Sequence, residues 1–505
     1  MSRTKNAIVN TIFGSLQKVL QMLLPFVMRT VMLHTLGIGY LGLNGLFTSV
    51  LQTLSIAELG ISGAITYNMY LPIAQQDTDK VCRLLRLYRT LYGIIGLTVL
   101  VLGASLLPFL PKLISGDVPE DINIYILYLM YLVSTAMSYS LFSYRSSLLQ
   151  AHQQNNVISK VNIVTTLIQF ILQVVCLFLF RNYYLYIILH FAMQLVNQIA
   201  IYWCSKRLYP GINPVGKLDR QIVSPIFRNV KGLVSGRIAG IILHSSDTIV
   251  ISMFLGLSVL VVYQNYFFIL TSITGIISTL LQGSLAGIGN SLVTETPEKH
   301  YHDFKRLTFI LSWIVCVCTN CFLALFQPFI TLWMGGENLL PMSMVVLFCI
   351  YFVLYEYNDL FNLYKAAAGL WHEDRFRPLV TALTNLCLNL FLVQHIGVYG
   401  IIGSTILSML FVGMPWLLYH LFTLLFHRGF SGYLKDLIKY AAVTLVSCLM
   451  THACTAALNL SGIPALLVYG VLAVCIPCGC YVLFFRKSFY FKDTLMLAQR
   501  LLLKR

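Results

Sequence analysis

Charge is scarce in this sequence: 10% of its 505 residues are Asp, Glu, Lys or Arg, against about 25% in ordinary soluble domains. No polar stretch is long enough to fold as a soluble domain, and the polar/apolar alternation of a β-barrel strand is missing. A sandwich, a barrel and a water-soluble catalytic domain are thereby excluded. Metal-ligand groupings are also missing. The 13 cysteines include two runs with metal-like spacing, Cys316, Cys318, Cys321 and Cys475, Cys478, Cys480. Neither run has a His or acid beside it, so these thiols read as small buried hydrophobes. The longest connector expected outside the membrane, 111–121, contains no His, so a polymerase or ligase has nowhere to put its catalytic residues. A non-enzymatic role is expected.

What is present is apolar: 58% of residues are hydrophobic. Stretches of about 20 or more such residues, each able to cross a ~30 Å hydrocarbon core as a helix, recur throughout. Division at charged or Gly/Pro-rich connectors gives fourteen spans: 6–34, 40–73, 84–110, 122–148, 155–180, 183–205, 229–256, 259–294, 307–333, 341–368, 377–394, 397–426, 437–456 and 463–485. The first lacks a small-residue cleavage site and reads as a retained span. With the N-terminus inside, alternate connectors, the two tails and cytoplasmic span ends hold 29 of the 34 Lys and Arg. Outside connectors hold two, Lys112 and Arg181. Retained positive charge sets orientation, so both ends are expected in the cytoplasm. The net charge of +16 reports that orientation and not nucleic acid.

The most basic connector lies near mid-chain, and the sequence repeats around it. At an offset of 219, TLGIGYLGLNGLF (35–47) falls on FLGLSVLVVYQNY (254–266), and Lys18 on Arg237. At 220, Tyr144, Arg145 and His152 fall on Tyr364, Lys365 and His372. An even number of spans, six, separates the copies, so they share one orientation, as in transporters built from parallel repeats. The expected organisation is an all-α integral membrane protein with a six-helix lobe at 1–206, a cytoplasmic connector at 207–228, a second six-helix lobe at 229–427, and two further spans with a tail at 428–505.

Three cations are left over by topology: Lys18, Arg29 and Arg237. An ionised side chain at mid-membrane costs about 2.5–3.5 kcal/mol or more and usually faces a wet pathway. Lys18 and Arg29 are eleven residues apart, on nearly the same helix face; Arg237 and His244 repeat the idea in span seven. These four form a candidate cationic lumen, with snorkelling to headgroups as the alternative for Arg29 and Arg237. Arg145 and Lys365, at cytoplasmic span ends, are candidates for a cavity mouth or simple topological charges. Glu58 and Asp247 read equally as counter-ions or transport groups. Glu356 and Asp359, three apart and so on one helix face, read as a site for H⁺ or Na⁺ or as hydrogen-bonded buried acids.

LGIGYLGLNGLFTSVLQTLSIAELGISGAI at 36–65, SSDTIVISMFLG at 245–256 and YRSSLLQAHQQ at 144–154 resemble segments of the Wzx-type polysaccharide flippases, within the multidrug/oligosaccharidyl-lipid/polysaccharide exporter superfamily. The resemblance implies a two-lobed alternating-access carrier of undecaprenyl-pyrophosphate-linked oligosaccharide in a bacterial cytoplasmic membrane. It implies no cofactor beyond a coupling H⁺ or Na⁺, a monomeric state, and other polysaccharide-assembly membrane proteins as candidate partners. A lipid II flippase and a cation-coupled multidrug exporter are the alternatives. Drug-exporting relatives often carry an acid in the first span; here that span has two cations and no acid, which argues for an anionic cargo.

Overall fold

The computed structural model describes residues 3–58, 61–116, 118–217, 238–243 and 245–503. Every element among these residues is helical, as a backbone in lipid requires when it must satisfy its own hydrogen bonds. Eleven helices are long and apolar enough to cross a membrane, or twelve if the pair Ile124–Ser140 and Ser143–Ala151, bent by 41°, is one span. These correspond to twelve of the fourteen expected spans. The expected span at 40–73 is broken instead into Ile38–Leu54, a short turn Ser55–Glu58, and Ile61–Ala74. The expected span at 229–256 lies partly outside the described residues, which are helical there at 238–243 and 245–254.

The duplication shows in the backbone. Helices beginning at Ile38, Thr78 and Ile124 recur at Leu257, Pro297 and Met342, offsets of 219, 219 and 218. Gly37 and Gly116 hold φ of 109° and 87°, and Gly256 and Gly335, each 219 residues on, hold 90° and 86°. Side-chain-bearing residues resist these angles, so both copies keep glycine there.

Two compact units result, Met1–Val261 and Val262–Arg505. In the first, Arg3–Thr35 packs on Asn155–Phe180, and Thr78–Ser105 on Ile124–Ser140. Gly96 permits the second contact, since a Cβ there would stand 2.9 Å from the Ala136 carbonyl oxygen; close backbone approach over small residues is how helices associate in lipid. The 245–254 helix joins this unit because Ser252 Oγ donates to the Leu113 carbonyl at 2.7 Å and Ser115 N–H donates to the Ser252 carbonyl at 2.9 Å.

In the second unit Pro297–Met334 is the hub, touched by Met342–Ala367, Ser431–Leu458, Gly462–Phe485 and Phe489–Leu503. A polar bolt joins the hub to Ser431–Leu458, the first of the two spans that follow the repeat: Asn320 Nδ2 donates to Ser447 Oγ at 2.9 Å, and Thr451 Oγ1 donates to Asn320 Oδ1 at 2.7 Å. Around it, Phe309, Tyr440, Tyr481 and Phe491 bury an aromatic cluster.

Candidate functional site

The most exceptional chemistry within a span is on Met342–Ala367. Glu356 is 0% exposed, and neither carboxylate oxygen makes a hydrogen bond among the described residues. Asp359, one turn on and half-buried, leaves its Oδ2 without one. The helix Leu257–Gly283 offers Thr274 to Glu356 and Ser278 to Asp359. Those hydroxyls are four residues apart, so they share a face just as the acids do. The Thr274 oxygen is itself buried and unbonded. Acceptor oxygens from two carboxylates and two hydroxyls in a dry setting suit a small hard cation or a proton.

In the first unit Glu58 closes the turn that breaks the second span, and it accepts a hydrogen bond from Tyr92. Tyr92 packs at a tilt against Tyr88, ring centres 4.3 Å apart, with Tyr139 at 6.0 Å, so the carboxylate's partner belongs to a tyrosine cluster. Asp247 is buried beside Ser245, Ser246 and Thr248. On Arg3–Thr35, Lys18 is exposed and Arg29 half-buried. Arg237 and His244 lie outside the described residues.

The repeat-matched pair Arg145 and Lys365 are both buried, at 1% and 8% exposure. Arg145 Nη1 donates to the Ile212 carbonyl at 2.9 Å, and its guanidinium lies 5.3 Å from the Tyr202 ring centre. It thereby holds the start of the mid-chain connector against its own unit. Lys365 donates to Asp374 at 2.9 Å. Arg377 donates to both oxygens of that carboxylate, at 2.6 and 2.8 Å. Burial works to raise the Asp374 carboxyl, but the two cations prevail and hold it below the usual carboxylate range. His420 stands 3.6 Å away, on a helix continuing from Val398–Ser408 through the π-turn Met409–Gly413.

Sequence reasoning anticipated the acid pair, but not its hydroxyl partners. It also missed Tyr92, Asp374, Arg377 and His420. The Asp374–Arg377 spacing of three was the one usable signal among these.

A sequence profile described as polysaccharide biosynthesis protein matches residues 7–286. The chain belongs to this family. No curated protein matches it by sequence. Solved structures share its fold at low identity. A lipid II flippase, MurJ, in an inward closed conformation has a TM-score of 0.66 at 14% identity, covering 95% of this chain and 99% of its own. An inward-facing multidrug resistance MATE transporter scores 0.60 at 14%, covering 82% and 97%. A Vibrio cholerae MATE transporter scores 0.53 at 12%, covering 84% and 100%. The chain is thus a multi-pass membrane protein of the polysaccharide-biosynthesis family that shares the fold of the MurJ and MATE structures.

Proposed function

We propose that this protein moves an undecaprenyl-pyrophosphate-linked oligosaccharide from the cytoplasmic to the outer leaflet of a bacterial cytoplasmic membrane, for cell-surface polysaccharide assembly. The carrying observation is a family match joined to a first helix that has Lys18 and Arg29 inside the span and no acid anywhere from Arg3 to Thr35. Pyrophosphate and sugars do not cross hydrocarbon unaided, and cations on a wet helix face are the groups that accept such an anion. In this reading Lys18, Arg29 and Arg237 meet the pyrophosphate during alternating access, and the lipid tail stays in the bilayer.

Lipid II is the second reading. It is favoured by the 95% coverage of this chain by a structure described as a lipid II flippase, which extends over more of it than the MATE matches do.

The test is translocation of lipid-linked oligosaccharide and of lipid II in proteoliposomes. The wild type is expected to move the oligosaccharide, and Lys18→Gln combined with Arg29→Gln to slow it at least tenfold. Undiminished transport by the double variant removes the cationic pathway, and movement of lipid II alone selects the second reading.

A further inference from the structure

The Thr78–Ser105 helix places Lys80, Arg83, Arg86 and Arg89 in its first turns. Lys80, in the first turn, opposes the helix dipole, whose N-terminal end carries about half a positive charge, and like charges at helical spacing along the four repel by about 0.2–0.5 kcal/mol. Asp79 takes Arg83 at 2.6 Å. Arg86 and Arg89 are exposed. Among the described residues no carboxylate pairs with either; Arg89 has only the ring of Tyr144, at 5.9 Å.

The duplicated helix resolves the same problem internally. Thr78 and Pro297 open the two copies, and TDKVCRLLR falls on PEKHYHDFK, which sets Lys80 on Lys299 and Arg86 on Lys305. Arg89 falls on Thr308, and Arg306 on Leu87, and each cation of the second copy has an acid. Lys299 pairs with Glu295, Lys305 with Asp436 at 2.6 Å, and Arg306 with Asp303 at 3.0 Å and Asp493 at 3.4 Å. Asp436 and Asp493 come from Ser431–Leu458 and Phe489–Leu503, helices outside the repeat. The imbalance is general: residues 1–261 hold 19 Lys and Arg against 8 Asp and Glu, net +11, and residues 262–505 hold 15 against 10, net +5.

We propose that Arg86 and Arg89 form a loading site for the diphosphate of the lipid-linked cargo, the ligand whose place beside Lys305, the counterpart of Arg86, Asp436 takes in the second copy. This rests on the flippase reading. Two exposed guanidinium forks one turn apart suit the several oxygens of a diphosphate, and they sit at the helix end that the charge pattern assigns to the cytoplasm, where cargo is loaded. Phosphate on bulk lipid headgroups has the same chemistry, so the experiment separates the two.

Full-length protein in phosphatidylcholine nanodiscs is titrated with a polyprenyl diphosphate. Arg86→Gln with Arg89→Gln is expected to weaken binding at least tenfold, while Lys at both positions retains most of it. Asp436→Asn, which releases Lys305 from its acid, is expected to raise diphosphate binding. If the wild type binds and the Gln variant, monodisperse and inserted as the wild type is, binds equally well, the site fails and the flippase reading stands. If phosphatidylglycerol nanodiscs abolish the difference between wild type and Gln variant, the arginines serve bulk headgroups and the site also fails. A wild type that binds no polyprenyl diphosphate overturns both.

Discussion

A single carboxylate, Asp374, holds three chain segments together. At 1% exposure it neutralises Lys365 on one helix and Arg377 on the next, and Arg377 also donates to Asn362 Oδ1 at 2.9 Å. Asp374→Asn leaves two buried cations short of charge. Loss of one partner of a buried ion pair costs about 3–5 kcal/mol, so the thermal unfolding midpoint in detergent is expected to fall clearly. Because the folded carboxyl titrates below its unfolded value, its stabilisation is complete at neutral pH. It disappears only as pH falls below about 4, so the midpoint gap between wild type and variant narrows on acidification. Sequence alone did not disclose this knot. Lys365 was visible as a cation at a span end, but its partner lies nine residues on, across a chain reversal that no helical period describes. Lys18 and Arg29 share one continuous helix, so their common face followed directly from 3.6 residues per turn.

At the scale of elements, hydropathy marked the long helices well because lipid demands the same signal along a whole span. It could not mark the interruption at Ser55–Glu58, since the residues on both sides are as apolar as those of an unbroken helix. Nor did it reveal how helices meet. Gly400 sits where Val398–Ser408 crosses Arg377–Ile396, and a Cβ there would lie 2.5 Å from the backbone carbonyl carbon of Leu392. Backbone cannot swing aside as a side chain can. Gly400→Ala is therefore expected to destabilise by about 1–3 kcal/mol, read as a lowered unfolding midpoint. Gly403→Ala is the matched control, because nothing lies within 4 Å of its added methyl.

For the whole molecule, the repeat was legible as an offset near 219, and the positive-φ glycines show why it persisted. The acid pair was legible as a spacing; its exposure to Thr274 and Ser278 was not, because those residues belong to a helix some 80 positions earlier. If Glu356 and Asp359 carry the coupling ion, Glu356→Gln with Asp359→Asn abolishes the dependence of transport on a proton or sodium gradient. Flux in proteoliposomes with and without each gradient measures this, and full gradient dependence in the variant refutes it. Gradient-free exchange of cargo should survive, since neither residue belongs to the proposed cationic pathway.

The polar bolt has a consequence for biogenesis. Asn320 Nδ2 also donates to the Cys316 carbonyl at 2.8 Å, within its own helix, so half of its amide is satisfied as soon as that helix enters the bilayer. Its oxygen must wait for Thr451, 131 residues later. At about 5–20 residues per second of synthesis, that wait is about 7–26 s. Throughout it the nascent chain carries an unmet acceptor at membrane depth, and the insertion machinery must hold the hub helix in a sheltered position until the penultimate span emerges to close the bond.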